Sequence, residues 1–294
     1  MAKFEATEMA LAGSKAGAMS YLQLLTGVGY SFWNRGIVRH EKALGFAQKM
    51  ADLYPIDLGE TQRSRNKARR IANVKLVMFA DMKVPGELVW YLLATPGKGL
   101  IHEREKMKAV DDHPLLWLDQ YQVERRARTE VAGTKRRKKT RWTWVLQPGY
   151  RLALKDTIKG YCATDEARKA LYLLFEKLRH MPLFSGIRDE LVELDRYGAE
   201  TWRKTRKEPY PGHLGELPYI TRVPIFEGLT LGALVEAMHR EAAEKKATAE
   251  AMAAAVLRGE EPPSSLTQSL RQKRHGTHQE GFDPDHPVSD SDPR

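Results

Sequence analysis

Two apolar runs, VKLVMFA (74–80) and LVWYLLA (88–94), stand seven residues apart and constrain the fold more than any other feature. Each is short and rich in β-branched and aromatic residues, which is strand chemistry. VPGE (84–87) between them makes a turn. Neither run alternates cleanly between apolar and polar residues, so both faces of the sheet they build are expected to be covered. The rest of the chain must then supply that cover, mainly as helices.

LDQYQVERRAR (118–128) and TRWTWVL (140–146) read as two further strands around a long polar loop. Together with the first pair they predict a small antiparallel or mixed sheet of about four strands within residues 74–146. Helical spacing dominates elsewhere. Residues 1–57 read as helical, with a first apolar face over Met9–Leu25 and a second helix from Arg35 to Leu53 that Pro55 stops. Ile101–Val110 reads as a short helix. Thr164 is placed to cap a helix that carries Leu171, Leu174, Phe175 and Leu178 on one face. Phe184–Arg206 carries Ile187, Leu191, Leu194, Tyr197 and Trp202 at helical spacing. A Pro-rich crossing follows, and Thr230 caps a last helix at 230–257 whose second half is Ala, Glu and Lys. The fold class is therefore α+β and mainly helical. The zones are 1–57, 58–147, 148–258 and a tail at 259–294 too poor in apolar residues to order itself.

Charge is unevenly spread. The 294 residues carry +10, but the tail holds seven acids and four bases, so residues 1–258 carry +13. That excludes an acidic solvating protein and favours a polyanionic partner. A single cysteine, Cys162, excludes a disulfide scaffold and a multi-Cys metal cluster, and reads as a small buried residue. The longest apolar run has seven residues, whereas a bilayer needs about 20. Glu5, Glu8 and Lys15 interrupt the N-terminal apolar pattern, unlike a secretory signal. A cytoplasmic protein without a membrane partner is expected.

Nine cations, Arg125, Arg126, Arg128, Lys135, Arg136, Arg137, Lys138, Lys139 and Arg141, fall within seventeen residues against Glu130 alone. Between two strands they form a cationic arm able to neutralise phosphates. Arg63, Arg65, Lys67, Arg69 and Arg70 form a second group on a predicted helix. Like charges at this spacing repel one another unless an anion sits over them. Trp142, Trp144 and Leu146 share a strand face, with Tyr121 and Val123 on the partner strand. Core packing is the expected reading, and a stacking platform for unpaired bases is the alternative. Arg141, Thr143 and Val145 are then expected to face outward.

Other motifs are weaker. Thr95-Pro96-Gly97-Lys98-Gly99 lacks the full phosphate-loop pattern. Asp81, Glu87, Glu103 and Asp111, with Lys83 or Lys98, supply the residue types of a metal-dependent nuclease. His102-Glu103-Arg104-Glu105 lacks the second histidine of a zinc-protease helix, and no cofactor motif is found.

LVWYLLATPGKGLIHERE, and RHMPLFSGIRDELVELDRYGAETWRK followed by ELPYITRVP, resemble uncharacterised proteins carried by proteobacterial plasmids and integrated conjugative elements. The resemblance covers about 100 residues and rests on patterns without catalytic content, so it transfers no site residue. It implies an accessory role in a mobile element. The expected function is nucleic-acid binding, DNA ahead of RNA, in maintenance, transfer or regulation of such an element. The alternatives are a nuclease or replication enzyme using the sheet carboxylates, and an interaction module acting through the 230–257 helix.

Overall fold

The computed structural model describes residues 4–80, 86–127, 140–164, 168–218 and 224–258. Two compact units are formed. The first comprises Met1–Gln147, Phe184–Ile187 and Tyr219–Arg240, and the second comprises Pro148–Leu183, Arg188–Pro218 and the chain from Glu241. The class is α+β, as the sequence predicts, with small antiparallel sheets.

In the first unit the predicted strand pair is present. β3 (Val74–Ala80) and β4 (Glu87–Ala94) are antiparallel, with Val77 opposite Tyr91. They belong to a four-stranded sheet of order β3-β4-β2-β5, where β2 is Phe32–Arg39 and β5 is Lys108–Ala109. Both faces of β3 and β4 are covered, which is why their sequences do not alternate. On one face Val74, Leu76, Met78, Leu88 and Leu92 share a core with Ala43, Ala47 and Met50 of helix α2 (His40–Leu53). On the other face Tyr91 stacks on Trp117, with ring centres 5.9 Å apart and planes 14° apart.

Trp117 belongs to a second sheet. It combines β6 (Leu116–Trp117), β7 (Tyr121–Ala127) and β8 (Thr140–Leu146) in that order. The strands expected to make one sheet across 74–146 are thus divided between two. Trp117 meets the edge of Trp144 at 6.4 Å. The Trp144 indole donates to the carbonyl of Met19 at 2.8 Å, which fixes helix α1 (Lys15–Gly27) against this sheet. β1 (Ala10–Ala12) pairs with β9 (Phe226–Thr230), and helix α8 (Leu231–Leu257) follows.

The N-terminal region is not all helical. Arg35–Arg39, predicted as the start of a helix, lies in β2, and α2 begins at His40. Eight residues of β2 pair with β4, and Phe32 and Trp33 also pair with β5. Trp33 donates to the carbonyl of His113 at 2.9 Å and Arg35 to that of Leu118 at 3.3 Å. These long-range bonds outweigh the helical tendency. Ile101–Val110 is likewise not one helix: α4 (Leu100–Arg104) stops early, and Lys108–Ala109 pair as β5. Thr230 does cap α8, accepting from the amide of Ala233 at 3.3 Å.

The second unit contains α5 (Pro148–Ala163), α6 (Arg168–Arg179) and most of α7 (Ser185–Thr205). Leu171, Phe175 and Leu178 of α6 and Leu191, Leu194 and Trp202 of α7 are buried, on the predicted faces. The segment after α7 has neither helix nor strand up to residue 218 and is tied to these helices. Trp202 donates to the carbonyl of Glu208 at 2.8 Å, and Arg179 to that of Leu214 at 2.8 Å. The residues that Thr164 is expected to cap, 165–167, lie outside the described residues. The Thr164 hydroxyl donates back to the carbonyl of Gly160 in α5. Cys162 is buried, and burial pushes its thiol above the ordinary range although nearby Arg206 opposes this. No helix of the described residues is long and apolar enough to cross a membrane.

Candidate nucleic-acid interface

Helix α3 (Glu60–Ala68) carries the first basic group, with Glu60 in its first turn and Arg65 and Lys67 in its last, in accord with the helix dipole. A buried amide clamp holds it to the sheet. Asn66 donates to the side chain of Asn73 at 3.1 Å, and Asn73 donates to the carbonyl of Arg63 at 3.1 Å. Asn73 also exchanges bonds with Thr95: its amide donates to the Thr95 hydroxyl, and it accepts from the Thr95 amide, both at 2.9 Å. With its inner face clamped, α3 leaves Arg65 and Lys67 exposed.

The sequence places Arg70 on the helix, but the structure places it beyond the helix end. The amide of Ile71 bonds to the carbonyl of Asn66, and the amide of Arg70 to that of Lys67. This is the Schellman closure, in which the penultimate position takes a left-handed conformation and is usually glycine. Here it is Arg70, with φ of 58°. An arginine there costs about 1 kcal/mol relative to glycine. The conformation turns the chain toward the 95–99 segment, where the Lys98 amide donates to the Arg70 carbonyl at 2.8 Å. The approach is close enough that a Cβ on Gly97 would lie 2.7 Å from the Arg70 carbonyl oxygen, and Gly97 itself has φ of 143°. Only glycine fits.

Arg65, Lys67, Arg69, Arg70 and Lys98 are all exposed. No ion pair joins any of them to a carboxylate among the described residues. The sequence offers Lys98 as part of an imperfect phosphate loop or beside the candidate carboxylates, and not as a member of the basic group. Its backbone contact with Arg70 is what joins it to the α3 cations. Arg63 differs from the others: it is half-buried, and its guanidinium donates to the carbonyl of Leu58 at 2.5 Å.

The second basic group lies on β7 and β8. Arg126 stands directly opposite Arg141, and Arg125 opposite Trp142. Two like charges in register repel each other. Arg126 is drawn toward Glu124 at 3.3 Å and the carbonyl of Gly186 at 3.4 Å, while Arg141 is exposed. The Arg125 guanidinium sits 4.6 Å over the Trp142 ring and 3.6 Å from Asp111. Arg128, Lys135, Arg136, Arg137, Lys138 and Lys139 lie outside the described residues, in the stretch that connects Ala127 to Thr140.

Trp144, Leu146, Tyr121 and Val123 are core residues, so the expected packing role holds for them. Trp142 is half-buried beneath Arg125. The outward orientation expected for Thr143 and Val145 is not found: both are buried, at 1% exposure each. The start of α7 covers that face. Gly186 packs so closely that a Cβ there would lie 2.5 Å from the Trp144 carbonyl oxygen, and the Gly186 amide donates to the Thr143 hydroxyl.

Among the described residues the candidate carboxylates Glu87, Glu103 and Asp111 do not group as metal ligands. Asp81 lies outside the described residues, Asp111 pairs with Arg125, and Glu103 is exposed on α4. Among the described residues no three His, Cys, Asp or Glu side chains group as metal ligands. No protein-family model, no curated protein and no solved structure matches the chain.

Arg70→Gly separates stability from binding. Glycine relieves the left-handed strain, so the first unit should gain about 1 kcal/mol in urea unfolding. The same change removes an exposed positive charge, so any affinity for a polyanion should fall in a salt-dependent manner. A loss of stability would mean that the Arg70 side chain holds the fold.

Proposed function

We propose that this protein binds nucleic acid, DNA ahead of RNA, mainly through phosphate contacts, as an accessory protein of a mobile genetic element. The observation that carries the reading is the group at the end of α3. Five exposed cations stand without ion pairs among the described residues, and one occupies a left-handed position that glycine would fill at lower cost. Such an arrangement raises the free energy of the isolated protein and is relieved by a polyanion. The basic stretch between β7 and β8 supports the same reading, because it adds charge to the same unit. Arg63, Arg65, Lys67, Arg69, Arg70, Arg125, Arg126, Arg128, Lys135–Lys139 and Arg141 are the proposed contributors, with Lys98 added. Nothing in this set forms a pattern that reads base edges, so sequence-independent affinity is expected. The mobile-element role rests on the resemblance of about 100 residues. A gel-shift panel of duplex DNA, single-stranded DNA and RNA at two salt concentrations tests the reading. Micromolar or tighter binding at low salt, weakening steeply with salt, is the expected result. No binding to any of the three at 50 mM salt would overturn it.

A further inference from the structure

The face of β7 and β8 that carries Trp144 does not end inside the core. Strand alternation places three directly opposed pairs on it in succession: Tyr121 with Leu146, Val123 with Trp144, and Arg125 with Trp142. The first two pairs are buried. The third leaves the core: Trp142 is half-buried, and the Arg125 side chain is 52% exposed. The next pair on this face is Ala127 with Thr140, both exposed. The apolar row therefore runs outward to an indole and a guanidinium, with two short side chains beyond them.

The Arg125 guanidinium is held from two sides. Its central carbon sits 4.6 Å over the Trp142 ring, and a terminal nitrogen lies 3.6 Å from Asp111. Asp111 stands in the turn after β5, where the amides of Asp112 and His113 both bond to the carbonyl of Ala109, at 3.2 and 2.8 Å. The two engagements do not compete, because a guanidinium offers its edge to a carboxylate and its face to a ring. An exposed ion pair of this kind adds little stability. Its effect is on position. With the indole beneath and the carboxylate beside it, the exposure that Arg125 keeps lies away from the ring.

A planar cation fixed on an indole is a surface for a nucleic-acid base. Unpaired bases stack on guanidinium planes and on aromatic rings, whereas a duplex keeps the faces of its bases covered. We propose that Arg125 and Trp142 form a stacking site for an unpaired base, and that single-stranded DNA is the ligand. This inference rests on the nucleic-acid reading and narrows it. The exposed cations attract the phosphates of either form, and the Arg125–Trp142 pair favours the single strand. Every base has a face to stack, so the site agrees with sequence-independent affinity.

Fluorescence anisotropy of the full chain with three labelled probes tests the site: a short oligothymidylate, an abasic strand with the same number of phosphates, and a blunt duplex. The oligothymidylate should bind about tenfold more tightly than the abasic strand, the scale of one stacked base. Arg125→Lys keeps the charge and removes the plane. It should cut that preference severalfold while leaving the salt dependence and the duplex affinity unchanged. Trp142→Ala should also cut the preference, and Trp142→Phe should keep most of it. Arg125 is exposed, so Arg125→Lys should melt like the parent even where the loss of Trp142 lowers the melting temperature. If all three probes bind and the oligothymidylate binds no more tightly than the abasic strand, the stacking site is overturned and the nucleic-acid reading stands. A preference unchanged by both Arg125→Lys and Trp142→Ala also overturns the site. So does an equal loss on oligothymidylate and duplex in Arg125→Lys, which is the mark of an ordinary phosphate contact. Absence of binding to all three probes overturns both readings.

Discussion

Trp144→Ala is expected to destabilise the first unit by about 3–5 kcal/mol, the range for truncating a buried tryptophan. Trp144 is fully buried and central to its surroundings. Its ring meets the edge of Trp117, its strand partner is Val123, and its indole N–H bonds to the carbonyl of Met19. Alanine leaves a large void and removes the indole bond to the Met19 carbonyl, and β7, the one strand beside β8, cannot collapse into the gap without breaking its own pairing. The total stability of a domain is about 5–15 kcal/mol, so much of it would be gone. Urea unfolding followed by circular dichroism measures the change. Binding should weaken only where the fold is lost. A variant that melts normally but has lost affinity for single strands would instead make Trp144 a base-stacking residue.

Replacing Lys135, Arg136, Arg137, Lys138 and Lys139 with serine should weaken nucleic-acid binding and flatten its salt dependence. Each phosphate contact contributes about 0.9 to the slope of log K against log salt on duplex DNA, so losing three of five contacts lowers it by about 2.7. Unrelated sequences should lose affinity equally, since phosphates carry no sequence information. Melting should be unaffected, because the exchange replaces five charged side chains with five small polar ones. Unchanged slope and affinity would mean that these charges only solvate the chain. Loss confined to one target would mean that they read bases. Loss of cleavage at unchanged affinity would reveal an enzyme.

Strands were legible where the local sequence alone demanded them. VKLVMFA and TRWTWVL became strands with the predicted limits, and LVWYLLA differed by one residue. β2 was hidden because Asn34, Arg35 and Gly36 break its apolar pattern and helix α2 follows without a turn. Its pairing with β4 and β5 is long-range and leaves no local mark. β1, β5, β6 and β9 are two to five residues long, below what periodicity can detect. Thr143 and Val145 looked outward because the helix start that covers them comes some forty residues later. In the candidate interface, the α3 cations were legible as a charge cluster. The left-handed turn at Arg70 and the arrival of Lys98 were not, because both follow from backbone bonds between separate segments.

The pairing of β1 with β9 also sets a schedule for biosynthesis. Ala10 and Thr230 are partners, so β1 finds its mate only after more than two hundred further residues have been added. At roughly 5–20 residues per second, that is an interval of about ten to forty seconds. Through that interval Ala10–Ala12 has an open backbone edge, and Leu11 lacks its C-terminal neighbours Leu231 and Val235 in the shared core. The first unit therefore closes last at its own beginning, and a nascent chain stalled before β9 would expose an edge suited to pairing with another chain.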